Sequence, residues 1–101
     1  MLFRSKSGGY KLSALEIEAT LLEHRDVSEV AVIGVPNDEW GEIVAAAVVL
    51  VNPILEDSLV QWSRERMSGY KVPRRWIFTD ALPRNALGKV TKPSLSAWFK
   101  G

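Results

Sequence analysis

Two apolar runs, VSEVAVIGV (27–35) and IVAAAVVLV (43–51), are separated only by the turn-forming cluster PNDEWGE (36–42). A strand with one wet face alternates polar and apolar residues, whereas a strand buried on both faces reads as a continuous apolar run. Both segments are of the second kind, and the longest run is only nine residues (Ile43 to Val51). That is too short to span a bilayer and suits a central strand. The pair predicts two core strands, and most of the remaining chain must supply their cover.

The cover reads as helical. Ser13-Ala14-Leu15-Glu16 has the form of a capping box, with Ser13 as N-cap and Glu16 at the third helical position. The helix it opens runs to His24 and carries Ala14, Leu15, Ile17, Leu21 and Leu22 on one side. Glu18 falls within that apolar side, where a carboxylate needs a partner, and a structural ion pair or hydrogen bond is favoured over catalysis. A second helix is expected over about 56–67, with Leu55, Leu59 and Trp62 as its stripe. SGYKVPRR (68–75) reads as a loop, WIFTD (76–80) as a third strand and ALPRNALGK (81–89) as another loop. A last helix has Pro93 in its first turn and Leu95, Trp98 and Phe99 as anchors. At the N-terminus, SKSGGYKLS (5–13) suggests two short strands about a Gly8-Gly9 pivot. The expected class is α+β: a three-stranded sheet with packed helices plus a small N-terminal β-hairpin.

Length and composition narrow the function. A chain of 101 residues fits one domain. It has no cysteine, so neither a disulfide framework nor a thiolate metal site is available, and a single histidine, His24, leaves little for a histidine-based centre. No metal ligands are assigned. A formal charge of +1 gives no global reason to expect nucleic acid, and no membrane insertion or signal peptide is expected. The expected setting is intracellular.

Two polar stretches stand out. Asn85-Ala86-Leu87-Gly88-Lys89 is a turn carrying one lysine, which is either a mobile cationic finger or an ordinary solvated charge. Lys92 nearby reads as a surface charge. The stretch 64–75 holds five basic residues (Arg64, Arg66, Lys71, Arg74, Arg75) against one acid, Glu65. It could be a solvated rim, a nucleic-acid patch or a site for a phosphorylated ligand, and an isolated patch without basic bulk argues against nucleic acid.

Taken together, KSGGYKLSALEIE (6–18), VSEVAVIGVPNDEWGE (27–42), GYKVPRRW (69–76) and LPRNALGKVTK (82–92) resemble, in order, the signatures of one family. It is the C-terminal subdomain of adenylate-forming enzymes: acyl-CoA synthetases, aryl-CoA ligases, luciferases and peptide-synthetase adenylation domains. The wording is nearest the malonyl- and medium-chain-like acyl-CoA synthetases. The resemblance implies a ligase that joins a carboxylic acid to CoA through an acyl-adenylate, with ATP and CoA as substrates and Mg²⁺ accompanying ATP. The small domain of similar enzymes rotates between the two half-reactions.

On that resemblance Lys89 matches the catalytic lysine of the adenylation step. Gly8, Gly9, Tyr10 and Lys11 match a strand lining the pantetheine tunnel, where glycine permits close backbone approach to a thin ligand. Trp40 matches a tryptophan beside the pantetheine arm, with core packing as an equal alternative. Tyr70, with Arg64, Lys71 and Arg74, falls where similar ligases meet the CoA nucleotide. Residues 1–5 read as linker or cloning-derived, with Phe3 near the family's hinge position, usually Asp. Residues 6–101 read as the subdomain itself, its large ATP- and acid-binding N-terminal domain being the partner it lacks. Other readings are part of a peptide synthetase or aryl-CoA ligase, or a free-standing α+β module binding phosphate-bearing ligands without chemistry.

Overall fold

A computed structural model describes residues 7–39 and 41–99, and for residues 7–13, 37 and 70 the backbone alone. The two apolar runs form β1 (Val27–Asn37) and β2 (Gly41–Leu50), paired antiparallel from Val27↔Leu50 to Asn37↔Gly41. The third strand, β3 (Arg75–Thr79), lies parallel to β2 with Ala46 opposite Trp76, so the order is β1-β2-β3. Parallel neighbours need a crossover, and α2 (Glu56–Arg64) supplies it.

The central strand is covered on both sides. One face packs Val32, Val44, Ala46, Val48 and Trp76 against Ala14, Ile17 and Leu21 of α1 (Ser7–Leu21) and Leu59 of α2. The other packs Ala31, Ile33, Val35, Ile43, Ala45 and Ala47 against Leu82, Leu95 and Phe99. Leu95 closes α3 (Lys92–Leu95), which has Pro93 in its first turn and continues as a 3₁₀ turn, Ser96–Phe99. Three consecutive alanines, Ala45 to Ala47, are fully buried in β2 and let both layers approach closely.

Among the described residues the N-terminal hairpin is not found. Residues 7–12 belong to α1, which runs through Ser13, so Ser13 is not its N-cap. An isolated two-stranded hairpin is marginal in water, whereas a helix already docked through Ala14, Ile17 and Leu21 propagates at one hydrogen bond per added residue. Ser5 and Lys6 lie outside the described residues. Several expected anchors also face solvent: Leu15, Leu22 and Leu55 are exposed, and Trp98 is on the surface while Leu95 and Phe99 are buried. The buried part of each helix is smaller than expected: Ala14, Ile17 and Leu21 in α1, and Leu59 and Ser63 in α2 with Val60 and Trp62 partly buried beside them. The Ser63 hydroxyl, buried, donates to the Leu59 carbonyl at 2.7 Å.

Candidate functional site

The loop between β3 and α3 is built from its base upward. Leu82 is buried against the sheet, and Thr91 N–H donates to the Pro83 carbonyl at 2.9 Å, closing the neck. Above the neck Arg84 and Val90 form an antiparallel bridge. At the tip, Asn85 N–H donates to the Lys89 carbonyl and Gly88 N–H to the Asn85 carbonyl, both at 2.9 Å. The Asn85 side chain folds back, its Oδ1 accepting from the amides of Leu87 (2.9 Å) and Lys89 (3.1 Å). Gly88 has φ +86°, a conformation that glycine adopts without strain and other residues rarely do. Gly88 is therefore a fixed turn position rather than a hinge, and the tip is a hydrogen-bonded platform. Leu87, 83% exposed, and Lys89 project from it. No ion pair among the described residues involves Lys89.

The other cations nearby are engaged. Arg84 Nη1 donates to the Gly88 carbonyl at 2.8 Å, and its Nη2 pairs with Glu29 on β1. Lys92, expected as a free surface charge, pairs with Glu18 at 2.8 Å. The same Glu18 oxygen, Oε2, accepts the Val32 amide of β1 at 2.7 Å. The carboxylate on the apolar side of α1 thus satisfies an outward-facing amide of an edge strand and a lysine together. The sequence predicted that Glu18 needs a partner, but neither partner's identity has a local signal, since Val32 and Lys92 are distant in the chain.

The basic stretch 64–75 does not form one patch. Arg64 and Arg74 line a cleft of about 280 Å³ with Glu56, Val60, Gly69, Val72, Pro73 and Trp76. Lys71, at the end of the 3₁₀ turn Gly69–Lys71, reaches Glu16 of α1 at 2.7 Å. The Arg66 guanidinium lies 4.1 Å from the centre of the Trp62 ring, and Arg75 donates to the Phe99 carbonyl at 3.3 Å. Residues spread over a helix end, a turn and a strand start point in different directions, which a linear count of charges does not show. Of the residues assigned to CoA, Arg64 and Arg74 share the cleft. Tyr70 lies in the 3₁₀ turn beside it, and Lys71 is drawn towards α1.

Gly8, Gly9, Tyr10 and Lys11 lie in the first turns of α1, away from the extended conformation that a tunnel-lining strand requires. Trp40 lies outside the described residues. Among the described residues no group of three His, Asp or Glu is placed to hold a metal ion. Nor is any helix of these residues long and apolar enough to cross a membrane.

The chain is 41% identical to a malonate–CoA ligase of Arabidopsis thaliana over 89% of its own length, and spans 17% of that relative. Among solved structures, a Mycobacterium tuberculosis fatty acyl CoA synthetase matches 83% of the chain at 44% identity with a TM-score of 0.76, the match covering 17% of that protein. ATP-bound MatB from Rhodopseudomonas palustris matches 85% of the chain at 36% identity and a TM-score of 0.80, with 18% of MatB covered. A family model, that of the AMP-binding enzyme C-terminal domain, matches residues 16–89, from α1 to the projecting lysine itself. With sequence, fold and the loop that ends in Lys89 in agreement, the chain belongs to the AMP-binding enzyme C-terminal domain family.

Proposed function

We propose that this chain is the C-terminal part of an ATP-dependent acid–CoA ligase and that Lys89 is its catalytic cation. In the first half-reaction a carboxylate oxygen attacks the α-phosphorus of ATP. The bond from that phosphorus to the bridging oxygen breaks, and pyrophosphate leaves an acyl-adenylate behind. Two anions approach during this step, and a positioned ammonium offsets the charge that accumulates. In the second, the CoA sulfur, its thiol proton lost, attacks the acyl carbon and AMP departs. ATP and CoA are substrates, and Mg²⁺ would enter with the phosphates of ATP rather than on residues of this chain. The pockets for ATP and the acid belong to the larger remainder of such a ligase, about which this domain turns between steps. Both nucleotide substrates place the reaction inside the cell.

The observation that carries this reading is Lys89 itself, an exposed ammonium with no ion pair among the described residues, on a glycine-fixed platform. The CoA nucleotide is assigned to the cleft of Arg64 and Arg74 with Tyr70 beside it. Gly8, Gly9, Tyr10, Lys11, Lys71 and Trp40 are assigned to the same thiol substrate on family resemblance.

The test separates the half-reactions in the full-length ligase. Lys89→Ala should slow pyrophosphate release by about a hundredfold or more, the scale of losing one preorganised charge contact. Transfer from a supplied acyl-adenylate to CoA should persist. Equal losses in both steps would make Lys89 structural. Arg64→Ala and Tyr70→Ala should raise KM for CoA and leave that for pantetheine, which lacks the nucleotide, unchanged.

A further inference from the structure

The Lys89 loop is held at both ends against the same edge strand. At its entry, the Arg84 fork divides between two partners: Nη1 takes the Gly88 carbonyl at 2.8 Å and Nη2 takes Glu29 on β1. At its exit, Lys92 takes Glu18, whose same oxygen accepts the Val32 amide, three residues further along β1. Between them the Thr91 amide closes the neck on the Pro83 carbonyl. Lys89 therefore sits between two cations, each consumed by an acid that is itself registered on β1. Among the described residues these two acids are taken by Arg84 and Lys92, and none pairs with Lys89.

Resting on the function proposed for Lys89, we propose that Arg84 and Glu29 at the entry, with Glu18 and Lys92 at the exit, are positioning residues for the adenylation step. Arg84 acts through the Gly88 carbonyl, one peptide from Lys89, so its tie to Glu29 transmits the position of β1 directly to the turn that aims the ammonium. A lysine could not make both contacts in this geometry, because the guanidinium presents separate donors in a fixed fork. The Arg84 and Glu29 side chains are about two-fifths exposed, 43% and 39%. An exposed pair contributes little to global stability, so its loss should disturb the aim of the loop more than the fold. Small displacements are costly where a reacting geometry must be held closely.

The experiment uses the full-length ligase with Arg84→Ala, Arg84→Lys, Glu29→Ala and the Arg84→Ala/Glu29→Ala double variant, alongside Lys89→Ala. Pyrophosphate release, thioester formation from supplied acyl-adenylate, and hydrogen–deuterium exchange over 85–91 are measured for each. Glu29→Ala and Arg84→Ala should lower the adenylation kcat by about threefold to tenfold with KM for ATP unchanged. Thioester formation should stay at the wild-type rate, and exchange over 85–91 should quicken. Glu29 acts through Arg84, so the double variant should match Arg84→Ala, and Arg84→Lys should fall between it and wild type. Glu18→Gln, which keeps an acceptor for the Val32 amide but removes the anionic partner of Lys92, should show the same split with a smaller loss.

Unchanged exchange in Arg84→Ala, or equal losses in both half-reactions, would overturn the positioning role. So would a Lys89→Ala enzyme that loses adenylation while Arg84→Ala and Glu29→Ala keep it in full. Adenylation that survives Lys89→Ala would instead overturn the function proposed for the lysine, even where exchange in Arg84→Ala still quickens, and the catalytic purpose of the clamp would fall with it.

Discussion

Glu18 is a carboxylate on the sheet-facing side of its helix, only 14% exposed at its side chain, with one oxygen serving both an amide and an ammonium. Removing it leaves the Val32 N–H on the covered edge of β1 without its acceptor, and an unmet buried donor costs about 1–3 kcal/mol. Glu18→Ala should lower the urea midpoint by an amount corresponding to that range. Glu18→Gln should cost markedly less, since an amide oxygen still accepts. Equal midpoints for the two variants would show that the ion pair with Lys92, not the amide, is the stabilising contact. That a carboxylate in an apolar stripe requires a partner was legible from helical periodicity alone. Which partner it finds depends on a contact fourteen residues away for Val32, and on a loop returning from the far end of the chain for Lys92.

The same division holds for whole elements. β1 and β2 were legible because continuous apolar runs leave only a doubly covered strand, and β3 because WIFTD is β-branched and aromatic. The start of α1 was not. Gly8-Gly9 fits a turn between strands and fits a helix poorly, yet the helical register set by Ala14, Ile17 and Leu21 carries through it. Two glycines in helix cost about 1 kcal/mol each against alanine. The double variant Gly8→Ala/Gly9→Ala should therefore raise the unfolding midpoint and the helical circular-dichroism signal. A lower midpoint would mean that these residues are not helical in the stable form. Under the proposed function the same variant should leave adenylation intact and slow transfer to CoA, because methyl groups would crowd a backbone that a thin ligand approaches. The site divides in the same way: NALGK announced a turn with a lysine, but the Arg84 fork that braces it requires Glu29, which belongs to another element.

At the level of the molecule, two apolar clusters back onto one sheet, with Ala45, Ala46 and Ala47 fully buried between them. Such a shared middle layer links the two cores, so the isolated chain should unfold in one cooperative step, with coincident fluorescence and circular-dichroism transitions. Incubated with ATP and a carboxylic acid it should release no pyrophosphate, because the pockets for both are assigned to the rest of the ligase. Separate transitions would mean that the two faces are independent. Pyrophosphate released by the pure chain would mean that the proposed division of labour is wrong.

The cleft of Arg64 and Arg74 opens beside α2 and Trp76, on one side of the sheet. The Lys89 loop rises from Leu82 and Val90, on the other. The two groups of residues therefore lie on opposite faces of one sheet. For the proposed ligase, sequence in time becomes a matter of sides: a body with one function on each face is turned over between them, like a page.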